Sequence, residues 1–152
     1  MQRLVTGIDE NGRSCVISRE QPEVVDGGPG INIIDTMVNI DQTPASPRPA
    51  GNGDFHDLGV GPGLLRWTIL EWEPGTEFTM HHTDTVDLNT VLAGSMQLVL
   101  DDGTYLLTPG DCVVIAGIDH GWSAGPDGCT MSFALFGTPA PGQTEDLDAK
   151  GR

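Results

Sequence analysis

Every apolar run in this chain is cut short by a turn. The interruptions read "ENG" (Glu10–Gly12), "DGGPG" (Asp26–Gly30), "EPG" (Glu73–Gly75), "DDG" (Asp101–Gly103), "TPGD" (Thr108–Asp111) and "GPDG" (Gly125–Gly128). Glycine, proline and aspartate supply the dihedrals and local hydrogen bonds that turns need. With 21 glycines and 11 prolines in 152 residues and no long stretch of helical periodicity, the chain reads as all-β. Strands are expected over Arg3–Val5, Ser14–Ser18, Ile31–Ile40, Leu64–Trp72, Phe78–His82, Leu88–Leu100, Thr104–Leu107, Cys112–Ala116, His120–Ser123 and Thr130–Phe136. "DDG" between "MQLVL" and "TYLLT" is a hairpin signal, with Gly103 free to take positive φ. Many short strands without a covering helix point to a sandwich or a barrel.

One stretch resists this pattern. "DQTPASPRPAGNGDFHDLGVGPG" (residues 41–63) is too rich in proline for a central strand and too long for an ordinary connection. It is expected to be a surface excursion, either a lid over a pocket mouth or a loop without a role, with His56 a plain loop histidine. The polar, proline-containing tail over 139–152 is expected to be disordered.

The length suits one domain with a ligand-sized pocket. The formal charge of −15, from 22 acidic against 7 basic residues, repels a phosphate backbone and an anionic membrane alike, so nucleic acid and membrane are not expected partners. The N-terminus has no apolar signal region, and no run approaches the ~18 apolar residues of a membrane span; a cytoplasmic protein is expected. Cys15, Cys112 and Cys129 are widely spaced, without a CxxC pair, and read as thiols buried in strands.

The stretch "FTMHHTDTVDLNTVLAG" (Phe78–Gly94) carries adjacent histidines and a polar alternation. In an extended chain neighbouring side chains point to opposite faces. His81, Thr83, Thr85 and Asp87 therefore share one face, while His82, Asp84 and Val86 share the other, toward the outer surface or a second layer. By the same parity His120 and Trp122 lie on one wall, and Trp67 and Trp72 on opposite faces of their strand, so that one is core and the other pocket, interface or surface.

From Gly75 to Gly94 the order is glycine, His81, Thr83, Asp87, glycine. It resembles the first motif of the cupin family, with Thr83 at the second-histidine position and Asp87 at the glutamate position. "TPGDCVVIAGIDHGWSAG" resembles the second motif, with Pro109-Gly110-Asp111 opening a strand and His120 at the third-histidine position; Ile115 and Ala124 replace the usual proline and asparagine. The likeness extends to small single-domain cupins that carry His-x-Thr-x-Thr-x-Asp and His-x-Trp, and to their N-terminal arm in "RLVTGIDENGRSCVIS".

The resemblance implies an all-β cupin double-stranded β-helix, a jelly-roll barrel with an N-terminal strand arm. Residues 1–60 would hold the N-terminal strands and the proline-rich excursion, 61–138 the barrel and 139–152 the tail. Catalytic candidates are His81, Asp87 and His120; substrate contacts are expected from Thr83, Thr85, Trp122 and Trp72. Two imidazoles and a carboxylate at His81, Asp87 and His120 also suit a divalent metal (Fe, Mn, Zn or Ni) on a 2-His-1-carboxylate face. Without metal, His81 or His120 acts as general base and Asp87 fixes its tautomer. No nucleotide cofactor is expected. The resemblance implies a lyase, cyclase or decarboxylase acting on an oxygenated aromatic, polyketide or keto-bearing small molecule; the alternatives are an Fe(II)-dependent dioxygenase and a non-catalytic ligand-binding protein. A homodimer is expected, because the fold leaves strand edges that a partner covers.

Overall fold

A computed structural model describes residues 1–36 and 53–140. These residues form eleven strands and no helix: β1 (Arg3–Ile8), β2 (Ser14–Glu20), β3 (Val24–Asp26), β4 (Asn32–Ile34), β5 (Asp54–Phe55), β6 (Leu65–Trp72), β7 (Glu77–His82), β8 (Thr85–Leu100), β9 (Gly103–Leu107), β10 (Cys112–Ala116) and β11 (His120–Gly137). Nine of them build one curled sheet in the order β2-β1-β10-β8-β11-β7-β5, with β6 also paired to β11 and β9 to β8. This is the expected all-β cupin jelly roll. No helix among the described residues is long and apolar enough to cross a membrane.

The long strands β8 and β11 make the frame. β8 reads "TVDLNTVLAGSMQLVL", whose period of two puts Val91, Met96 and Leu98 into the core; the chain bends at Gly94 between them. They pack with Leu107, Val113, Ile115 and Met131, all nearly inaccessible to solvent. Burial of one such side chain stabilises by roughly 1.5–3 kcal/mol.

β11 differs from expectation. "GPDG" does not separate two strands; it is a bulge within one 18-residue strand. Ala124 faces Met96 and Cys129 faces Gly94, so Gly125–Gly128 stand opposite Ser95 alone. Gly94 (φ 72°) and Gly128 (φ 78°) are both left-handed, and a Cβ on Gly94 would fall 2.1 Å from the Gly128 carbonyl oxygen. Glycine is required where the sheet turns this corner. The expected hairpin does form between β8 and β9, with Leu100 paired to Gly103 and Gly103 at φ 150°.

The N-terminal arm joins the sheet through β1, which runs parallel to β10. The Gln2 backbone N–H and side-chain amide donate to the two Asp111 carboxylate oxygens, at 2.8 and 3.0 Å, and the Thr108 N–H donates as well. Burial by itself would raise the Asp111 pKa; these donors outweigh it and hold the carboxyl below its ordinary value. "TPGD" thus closes a turn and anchors the arm.

Two short strands were not expected. β3 pairs with β4 across "DGGPG" in a separate hairpin, whose Val24, Val25 and Ile33 are exposed. β5 lies inside the proline-rich stretch, and of the expected strand Ile31–Ile40 only Asn32–Ile34 forms among the described residues. Residues 37–52, which include the proline-rich stretch up to Gly53, and the tail from 141 lie outside the described residues. All three cysteines are free and on strands, Cys129 buried and Cys15 and Cys112 partly so.

Candidate active site

The register of β7 against β11 sets the centre of the site. His120 is the direct cross-strand partner of His81, and cross-strand partners share a face. Their rings face the interior with centroids 4.2 Å apart. Each imidazole is held from behind. His81 Nδ1 lies 2.9 Å from the Thr79 carbonyl oxygen and His120 Nδ1 lies 2.8 Å from that of Ile118. A carbonyl only accepts, so both Nδ1 atoms carry the proton and both Nε2 atoms keep a lone pair. Burial drives the His120 pKa down to about 3, with the neighbouring His81 adding to the fall. Burial also lowers His81, against the pull of its Thr79 hydrogen bond. The pair is neutral at pH 7.

Asp87 enters from β8. Its carboxyl is 3% exposed, and burial raises its pKa to about 7, although the Thr85 hydroxyl, donating at 2.5 Å, works the other way. Thr83 and Thr85 hydroxyls lie 2.8 Å apart, which gives a chain from Thr83 through Thr85 to Asp87. The strand breaks at Thr83 and Asp84 between β7 and β8, yet the hydroxyls of Thr83 and Thr85 and the Asp87 carboxyl still meet.

His81, Thr83, Asp87 and His120 line one cavity of about 170 Å³. Trp122 packs edge-on to His120, with centroids 5.6 Å apart, and lines it too, as does Trp72. Thr85 does not reach this cavity; its hydroxyl is engaged by Asp87 and Thr83. Trp67 lies on the outer face of β6, 76% exposed, its indole N–H donating to Ser132.

Several lining residues carried no signal of their own in the sequence. His56 is the clearest, and the expectation of a plain loop histidine is corrected here. Its ring stands edge-on to His81 at 5.7 Å and to Phe78 at 5.2 Å. It arrives there because β5 adds parallel to β7, pairing Asp54 with His81 and Phe55 with His82. Arg66, Thr68 and Leu70 line the cavity from β6; sharing parity with Trp72 was the available clue.

His82 points the other way, as parity requires. Its Nδ1 lies 2.9 Å from Asp119 Oδ1, and its ring packs against Phe55. The Gly53 N–H approaches the same carboxylate at 3.4 Å, where a Cβ on Gly53 would clash at 2.5 Å. This second layer ties the start of β5 to the sheet.

Among the described residues, no three His, Cys, Asp or Glu side chains form a metal-binding group. The cavity offers a pair of Nε2 donors, with the Asp87 carboxyl set apart on Thr85.

Two inward histidines and a buried carboxyl thus border an apolar cavity inside a cupin-type jelly roll. Residues 68–129 match the AraC-like ligand binding domain family. This match and the fold support a place in the cupin superfamily. The chain is similar to phomopsin biosynthesis cluster proteins C' and D of Diaporthe leptostromiformis, each 41% identical over 63 residues, which cover 41% of this chain and 32% of the relative. A cupin-domain-containing oxidoreductase, fogC, of Aspergillus ruber is 28% identical over 129 residues, 79% of this chain and 62% of the relative. Among solved structures, the polyketide cyclase RemF from Streptomyces resistomycificus is 30% identical, over 51% of this chain and 56% of that one, with a TM-score of 0.45.

 The chain spans about a third of the length of the first two curated relatives.

Proposed function

We propose that the chain is a small-molecule cupin enzyme that moves protons on a carbonyl-bearing ligand, in a reaction of lyase or cyclase type. One observation carries the reading: two neutral imidazoles with free Nε2 lone pairs share a cavity with a buried carboxyl whose pKa is raised to about 7, so that a substantial fraction keeps its proton at neutral pH. That is a base and an acid in one desolvated space. The Nε2 of His81 or His120 takes a proton from the carbon beside the carbonyl. Asp87 donates to the carbonyl oxygen, and an enol results. Thr85 holds one Asp87 oxygen, which leaves the other to carry the proton. The names of the curated relatives, two from a biosynthesis cluster and one an oxidoreductase, agree with small-molecule chemistry.

The test is deuterium exchange at the methyl group of acetophenone in D₂O, followed by NMR. Exchange above the buffer rate that disappears in His81→Asn and His120→Asn supports the reading. Exchange equal to buffer in the wild type sinks it for this class of ligand.

A metal-dependent version is the second reading. It is favoured by the way both imidazoles present Nε2 with Nδ1 fixed on a backbone carbonyl, as ligating histidines do. Asp87 would be the third donor after leaving Thr85. A divalent ion (Fe, Mn, Zn or Ni) would supply carbonyl polarisation or, in a dioxygenase, an oxygen site. Metal analysis of untagged protein, with exchange and oxygen uptake measured before and after chelation, separates the versions. A non-catalytic ligand binder, consistent with the AraC-like match, would bind acetophenone without exchanging it. We also propose a homodimer, supported by the exposed apolar side chains of Leu65, Trp67 and Ile69 on the outer face of β6; light scattering tests it.

A further inference from the structure

β6 contributes one cation to the cavity lining, the exposed Arg66. Arg66 pairs with Leu135 on β11, and Thr68 with Phe133; all four side chains line the cavity. Among the described residues, the Arg66 guanidinium makes one hydrogen bond, from Nη1 to the Leu58 carbonyl oxygen at 3.3 Å. It forms no ion pair among the described residues, whereas Arg3 pairs with Glu20 and Arg13 with Asp101.

In a chain of 22 acidic and 7 basic residues, an arginine on an apolar wall without a carboxylate is unusual. The only acidic side chain on that lining is Asp87, which is bound to Thr85. Arginine is well suited to a planar anion, because its forked donors match a carboxylate in two parallel hydrogen bonds. The indole N–H of Trp72, on the same face of β6, is buried without a partner, so this wall has spare donors and few acceptors.

Resting on the proposed function, we infer that Arg66 binds a carboxylate on the ligand, which lies with its acidic end at β6 and its carbonyl end against His81 and His120. The cavity of about 170 Å³ compares with the roughly 150 Å³ that accommodates benzene, so the enclosed part of the ligand is about one aromatic ring. The carboxylate is then a handle and not the leaving group, which argues against decarboxylation at this end.

The probes are 4-acetylbenzoate and its methyl ester, which share the ketone and differ in the charge. Ligand-observed NMR titration should give the acid a Kd about tenfold lower than the ester, a preference worth about 1.4 kcal/mol. Arg66→Gln should bring the two within about twofold while leaving ester binding unchanged, and Arg66→Lys should restore part of the preference. Added salt should narrow the gap in the wild type. A merely structural arginine would weaken both probes alike. Equal affinities in the wild type, or a preference that survives Arg66→Gln, overturns the assignment and leaves the proposed function standing. Binding of neither probe overturns both.

Discussion

His81 and His82 are neighbours in the chain and opposites in chemistry. His81 faces another imidazole, with both Nδ1 protons given to backbone carbonyls; His82 faces a carboxylate, with Asp119 at 2.9 Å. The first pair presents free lone pairs to a cavity. The second presents none to it and fastens β5, the strand that delivers His56. A single step along a β-strand separates the histidine that faces the cavity from the histidine that holds the wall.

The largest effect should come from breaking the first pair. His120→Asn is expected to lower ketone exchange by about 10²–10⁴-fold with the fold retained, checked by NMR exchange and circular dichroism. A loss within threefold would remove His120 from the chemistry.

Stability against pH sharpens the contrast. Asp87 has a folded pKa of about 7, above its ordinary 3.8, so the native state holds a proton that the unfolded state has released. Its contribution is full below about 4 and is lost as pH rises through 7. His120, lowered from 6.5 to about 3, contributes above about 6.5 and loses that contribution as pH falls toward 3. Asp87→Asn should therefore stabilise the protein at pH 8 by up to a few kcal/mol, and His120→Asn should flatten the acid side. Denaturant titrations between pH 4 and 8 read both slopes; identical slopes in wild type and Asp87→Asn would contradict the burial argument.

Breaking the second pair should be felt in stability first. Asp119→Ala strips His82 of its acceptor and is expected to cost about 1–3 kcal/mol, seen in the melting curve. The smallest effect is expected for His82→Ala on ketone exchange, a change within about threefold per folded molecule. Losses equal to those in His81→Ala would undo the division between the two faces.

Strand alternation explains why so much of this was legible. The common face of His81, Thr83 and Asp87, and that of His120 and Trp122, need only a period of two. The turn signatures marked most strand ends for an equally local reason. What alternation could not supply was pairing. "GPDG" looks like a turn in sequence, and only the opposing Gly94 and Ser95 make it a bulge. "DFHD" has no strand signal, and only a parallel seat beside β7 brings His56 to the cavity. Arg66 was readable as sharing a face with Trp72, but not as a cation without a carboxylate, because that depends on every neighbour around it.

The sequence by itself determined the all-β class, the cupin motifs and the facing of the inward polar residues, since each follows from local dihedral preference or from spacing along one strand. The tertiary structure decided which imidazoles meet, that Asp87 is bound to Thr85, and which cation borders the cavity. These depend on register between strands distant in sequence, and on burial, which shifts the protonation of a carboxyl or an imidazole only once the rest of the fold has removed the water around it.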